Sequence, residues 1–310
     1  MTTPEFLPPP PQPAVDATLP SFVERHRINP MLFGFAVLIV VFVLYQIGGG
    51  VLAYVLGGGV VTRENVVLQR FLTMGGQIVL MLLPTLGAAR LLSSSLRTVF
   101  PIRAPSIPEL GYALLALFSL QRLMDVYLFF QDLLPMPPVI RDTFGPLKEL
   151  LEGLVKTLVT AQSIPELLFV LLVVAAVPAV VEEFLFRGLI QRSFERVMSG
   201  TVAAVFAGMI FGLYHLNPME LIPLMGLGVF FGLLRYRSRT MSLPILGHFL
   251  NNAMAVMAVY LGMDTDASPP ASALSIRSMA FQAVIFAVLF VAFLIAYWRA
   301  TEQTARAVPQ

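Results

Sequence analysis

The chain has 310 residues, of which 57% are hydrophobic and 12% charged, with a net charge of +2 and a mean hydropathy of +0.81. A soluble domain carries about a quarter charged residues, so the composition excludes a water-covered globule, and the small net charge speaks against a nucleic-acid partner. Cysteine is absent, which excludes disulfides, a thiolate nucleophile and cysteine-held metals.

Residues 1–30, MTTPEFLPPPPQPAVDATLPSFVERHRINP, are proline-rich and read as a disordered tail of polyproline character. They lack the basic and apolar regions of a signal peptide, so the tail is expected to be retained. A membrane span takes about 20 apolar residues. Segments of that kind follow at 31–56, 71–92, 107–134, 165 to about 196, 201–216, 220–236, 243–261 and 279–298. Residues 145–162, GPLKELLEGLVKTLVTAQ, are amphipathic and suit the membrane interface. The expected fold class is all-α, a polytopic transmembrane helical bundle of about eight spans. Its divisions are the tail at 1–30, transmembrane helices with the interfacial helix at 31–160, a polar-bearing core at 161–262, and a last helix with a short tail at 263–310.

Eight spans put both termini on one side of the bilayer. On that side fall Arg25, Arg27, Arg90, Arg97, Arg103, Arg187, Arg192, Arg196, Arg235, Arg237, Arg239, Arg299 and Arg306. The other side receives Arg63, Arg70, Arg141, Lys148, Lys156 and Arg277, and Arg122 falls inside a span. The positive-inside rule then places both termini in the cytoplasm. Small residues recur at four-residue spacing, Ala204, Gly208 and Gly212, then Gly228 and Gly232, a pattern that lets helix backbones approach closely in lipid.

Within the apolar stretch 165–262 the side chains able to do chemistry are Glu182, Glu183, Arg187, His215, Asn217, His248, Asn251 and Asn252. Charge at bilayer depth is costly, so such residues are expected to be paired or functional. Folding the chain back about the turn at Met198 to Thr201 sets Glu182 and His215 level, each on the order of 25 Å along the hairpin. His248, roughly nine residues beyond Arg239, enters the same half of the membrane. Glu183 and Arg187 stand at i and i+4 and suit an ion pair; His248 and Asn252 share a helix face at the same spacing. Glu182 and Glu183 differ by about 100° around the helix, so one faces the site while the other holds the arginine. Pro178 leaves the carbonyl of Val174 without its helical partner.

Two chemistries suit this set. In one, Glu182, assisted by His215, takes a proton from water while His248 and Asn252 stabilise an oxyanion. In the other, His215, His248 and Glu182 bind Zn²⁺ and leave a position for water. No cofactor is favoured, since His-Glu-x-x-His is missing. Serine and cysteine mechanisms have no suitable residue. A non-catalytic membrane partner using the same polar cavity, or a proton-coupled transporter, are the readings from other classes.

Three motifs then carry a family resemblance. EEFLFR fits Glu-Glu-x-x-x-Arg, FGLYH fits Phe-x-x-x-His, and HFLNN fits His-x-x-x-Asn. In this order the chain resembles the type II CAAX prenyl endopeptidases and their prokaryotic relatives, the CPBP (CAAX protease and bacteriocin-processing, or Abi) family. The resemblance covers roughly residues 160–262. It implies an intramembrane endopeptidase in which Glu182 activates water with help from His215, His248 and Asn252 serve the oxyanion, and Glu183 and Arg187 form a supporting pair. It implies a peptide or protein substrate, lipidated in eukaryotic members, and bacteriocin immunity among relatives. The short tails favour an integral protein of a prokaryotic plasma membrane.

Overall fold

The computed structural model describes residues 20–134, 138–263 and 272–302. Among these the chain is all-α, without a strand. Helix α1, Phe22–Arg25, is a single turn closed by a capping box between Ser21 and Glu24. Helices α2 (Pro30–Leu56), α3 (Val66–Leu92), α5 (Ile107–Leu133) and α7 (Ile164–Glu195) are each long and apolar enough to cross a membrane. Between them lie α4 (Leu96–Val99) and α6 (Pro138–Val159). Helices α8 (Gly200–Tyr214), α9 (Leu221–Ser238), α10 (Ser242–Tyr260) and α11 (Ala273–Ala300) complete the order. Starts follow local chemistry: Asn29 caps α2 ahead of Pro30, and Ser163 caps α7 ahead of Pro165, proline being suited to the first helical position.

All eight expected spans are helices, but six reach span length with span-like hydropathy, including α10 and most of α11. Helix α8 has only 15 residues, about 22 Å of rise against a hydrocarbon core of about 30 Å. Helix α9 carries Arg235 and Arg237 in its last turn. The two form a hairpin whose backbones touch. A Cβ on Gly208 would lie 2.5 Å from the carbonyl carbon of Gly228 and 2.6 Å from Val229 Cα. The small-residue stripes therefore do what their spacing implies, with Gly232 against Ala204 one turn further along.

Outward faces are apolar: Leu32, Ile39, Val55, Phe281, Val284 and Val288 are all exposed, as lipid contact requires. The bundle closes around two main clusters. One gathers Leu185, Phe186, Leu189 and Phe194 of α7 with Met81, Phe211 and Tyr214. The other joins α5, α9 and α11 through Leu117, Phe230, Phe231 and Tyr297, with the Tyr297 hydroxyl donating to the Leu234 carbonyl at 2.9 Å.

Three expectations shift. Of the tail expected at 1–30, residues 1–19 lie outside the described residues, but the rest is folded. Val23 is in the main core cluster and Glu24 meets Arg196 at 3.2 Å, contacts that a polar proline-rich tail would lack. The interfacial helix starts at Pro138 rather than 145 and ends at Val159. Arg187, counted among the loop charges, lies fully buried within α7, because Glu183 one turn earlier neutralises it. Arg70, also counted with the loop charges, is fully buried on α3. Arg192, Arg196 and Arg239 gather at one end of the bundle. At another locus, Arg70 donates to Glu166 at 2.8 Å and to the carbonyls of Leu158 and Thr160.

Gly208→Ala is expected to lower the thermal midpoint in detergent by several degrees, since the contact is backbone on backbone and overpacking costs about 1–3 kcal/mol. Gly87→Ala, where nothing lies within 4 Å, should leave it unchanged or raise it. Circular dichroism melts of the two variants check this; equal shifts would refute the close-contact account.

Candidate active site

The site is built on α7, whose middle departs from regular α geometry. Wider π turns run over Leu171–Ala176 and Phe184–Ile190, bracketing an α-helical piece, Val177–Glu183, that holds Pro178 and both glutamates. Such π segments are frequent at functional sites. Proline has no N–H to give the Val174 carbonyl, and a carbonyl left bare inside an apolar bundle costs several kcal/mol. The structure fills the gap from another helix: Asn252 Nδ2 donates to Val174 O at 3.1 Å. Asn251 in turn donates to Asn252 Oδ1 at 3.1 Å, and Gln121 of α5 donates to Asn251 Oδ1 at 3.1 Å. One of the two amide hydrogens of Asn252 is thus committed to backbone repair.

Glu182 and Glu183 diverge as adjacent helical residues must. Glu183 is 0% exposed and so is Arg187, with Nη1 2.9 Å from Glu183 Oε1. That nitrogen makes no aligned hydrogen bond, so the pair is a close charge contact. Nη2 of Arg187 donates to the Gly228 carbonyl at 3.0 Å, and its guanidinium lies 4.5 Å from the Phe211 ring centroid, a cation–π geometry. The same Glu183 Oε1 meets His248 Nδ1 at 2.9 Å. Glu183 therefore serves two partners, one on its own helix and one on α10.

His248 is nearly buried, stacked on Phe231 at 5.5 Å between centroids. His215 ends α8, and its Nδ1 lies 2.8 Å from the Phe211 carbonyl. The following residue, Leu216, takes a left-handed φ of 53°, which stops the helix at the histidine. Each imidazole thus has its Nδ1 against an acceptor, which sets the Nδ1–H form and turns Nε2 to a common point. There stands Glu182: its Oε2 is 3.7 Å from His215 Nε2 and 3.9 Å from His248 Nε2. That oxygen is buried and has no hydrogen-bond partner. The side chains of Glu182 and His215 are 15% and 29% exposed, so this corner is the open part of the cluster.

Residues 182, 183, 187, 215 and 248 are thus brought together as expected, while Asn252 is drawn toward Val174 instead of pointing freely into the same volume. Sequence reasoning missed the link from Glu183 to His248. It also missed a polar wall from α2 and α3. Gln46 donates to the Tyr214 carbonyl at 3.0 Å, Tyr45 pairs with Gln77, and Glu182 is within Coulombic reach of Tyr45 and of Tyr214, whose buried hydroxyl has no partner. The signal was present, since glutamine is as conspicuous in an apolar span as glutamate, but it lay outside 165–262.

Glu182, His215 and His248 are donors of zinc-binding type. Among the described residues no group of three His, Cys, Asp or Glu is placed to hold a metal.

Residues 164–254 match a family model described as Rce1-like, type II CAAX prenyl endopeptidase. The match spans α7 to α10 and includes all three motifs, so the family read from them is borne out over that segment, and a CAAX-type intramembrane protease is the class it supports. No curated protein and no solved structure matches the chain.

Two outcomes test the geometry. Arg187→Met strands a buried carboxylate and should cost about 3–5 kcal/mol, read as loss of folded protein or a much lower melting midpoint. Asn252→Ala should destabilise less in a Pro178→Ala background, where residue 178 regains an N–H for Val174, with a coupling of about 0.5–1.5 kcal/mol. A double-mutant cycle with no coupling would refute the repair role of Asn252.

Proposed function

We propose that this protein is an intramembrane endopeptidase in which Glu182 activates water for attack on a peptide carbonyl. The observation that carries the reading is the unpartnered carboxylate oxygen of Glu182, 3.7 and 3.9 Å from two imidazole nitrogens held in fixed orientation. The gaps are too long for direct hydrogen bonds, and a water bound between the three groups would bridge them.

In the step proposed, the water oxygen bonds to the carbonyl carbon as its proton passes to Glu182, with His215 Nε2 orienting the second hydrogen. The carbonyl oxygen becomes the oxyanion. His248 stabilises it through Nε2–H, which requires the doubly protonated ring. Asn252 adds its uncommitted amide hydrogen. Collapse of the intermediate breaks the C–N bond, and Glu182 returns its proton to the departing nitrogen. Glu183 and Arg187 hold His248 in place from behind.

The substrate proposed is a peptide or protein, taken near the face to which both termini belong. The family description of residues 164–254 as a prenyl endopeptidase makes a lipidated C-terminal peptide the first substrate class to try. The excess of arginine on the loops that share a side with the termini supports both termini at the cytoplasmic face of a plasma membrane.

Purified protein is given quenched-fluorophore peptides, prenylated and unprenylated. Glu182→Ala is expected to lower kcat/KM by about 10²–10⁴-fold, and a chelator to leave the parent rate unchanged. Loss with both would restore the zinc reading. Full activity of Glu182→Ala would remove Glu182 from the mechanism.

A further inference from the structure

A second polar cavity lies well away from Glu182, at the junction of α1, α7, α8 and α9. It has a volume of about 350 Å³ and is lined by Arg192, Arg196, Arg239, Glu24, Glu195 and Gly200. Tyr236 forms a further wall, with the Arg239 guanidinium 5.1 Å over its ring.

The charges do not cancel. Glu195 meets Arg192 at 3.2 Å and Glu24 meets Arg196 at 3.2 Å, one carboxylate for each arginine. Arg239 remains in the lining; Arg235, 2% exposed and outside the lining, adds a positive charge within Coulombic reach of Glu195, Arg192 and Arg239. The Nε atoms of Arg235 and Arg239 are both buried without a hydrogen-bond partner. Buried donors left open call for an explanation, and an ion is one. Gly200 adds a second kind of positive field. It opens the 15-residue α8, whose N-cap Ser199 makes no side-chain hydrogen bond, so the first amide N–H groups and the helix dipole are left to attract an anion.

A surplus guanidinium group and an uncapped helix start at one cavity, with the charge of Arg235 close by, provide more donors than a single carboxylate can accept. A phosphate, with three or four acceptor oxygens, matches them. The cavity also sits where α7 and α9 end and α8 begins, and basic pockets between the ends of membrane helices take up anionic headgroups. We propose that this cavity binds a phosphate group, supplied by an anionic phospholipid headgroup or by soluble phosphate, and that the bound anion ties together the ends of α7, α8 and α9. The proposal is independent of the peptidase reading.

The test uses the full chain in detergent. Native mass spectrometry and thermal unfolding are followed while phosphatidylglycerol, phosphatidylcholine or inorganic phosphate is added, the last against chloride at equal ionic strength. The parent is expected to retain and be stabilised by phosphatidylglycerol in a saturable way. Arg239→Gln should raise the half-saturating concentration at least tenfold. Arg277→Gln, the same charge change on the exposed start of α11, should not. Stabilisation by inorganic phosphate alone would assign the soluble source. If Arg239→Gln yields no folded protein, Arg239→Lys serves instead, with a several-fold loss expected because a point charge replaces the forked donor. Equal response to both lipids with none to phosphate, or identical behaviour of the position-239 and position-277 variants, would overturn the proposal.

Discussion

Everything at the centre of this bundle depends on placing the Glu183 carboxylate where no water reaches it. A lone buried carboxylate costs far more than a folded protein's net stability. Arg187 answers it from one turn along the same helix, and the aromatic faces of Phe211 and Phe231 surround that guanidinium. Once the charge is held, its remaining reach fixes His248 on α10, and His248 fixes the third side of Glu182. The Gly228 carbonyl that accepts from Arg187 belongs to the same glycine that lets α8 and α9 touch. Ion pair, hairpin and histidine orientation are therefore one construction, and removing any part disturbs the others.

Adjacent identical residues do different things here because the helix turns about 100° between them. Glu183 points inward, its Oε1 held between Arg187 and His248. Glu182 points to an edge that is partly exposed and keeps an unpartnered oxygen. In the mechanism proposed, the carboxylate that accepts and returns a proton needs that freedom, whereas one that orients an imidazole needs the opposite.

The spans were legible because lipid tolerates so little: apolar length fixes the helices, and boundaries such as Ile107–Leu133 fall within a residue of expectation. The core of the site was legible for the same reason, since Glu182, Glu183, His215 and His248 are anomalies in apolar helices. Spacing along one helix reveals neighbours on that helix, so Glu183 with Arg187 could be read and Glu183 with His248, 65 residues apart, could not. Pro178 announced an orphaned carbonyl, but nothing local says that its donor sits 78 residues away. The tail failed for a different reason. Composition averages over thirty residues hid the four-residue turn at Phe22–Arg25, which its own Ser21–Glu24 capping box, Arg196 and the core hold.

The bond from Asn252 to Val174 bears on how the protein moves. A helix ordinarily satisfies its own backbone and can slide or part from a neighbour at the cost of side-chain contacts alone. At Val174, α7 has borrowed a donor from α10. Drawing these two helices apart would bare a carbonyl to hydrocarbon, a penalty of several kcal/mol that side-chain repacking does not relieve. The seam between them is thus a fixed wall of the chamber, and any breathing that admits a long substrate is confined to the other faces.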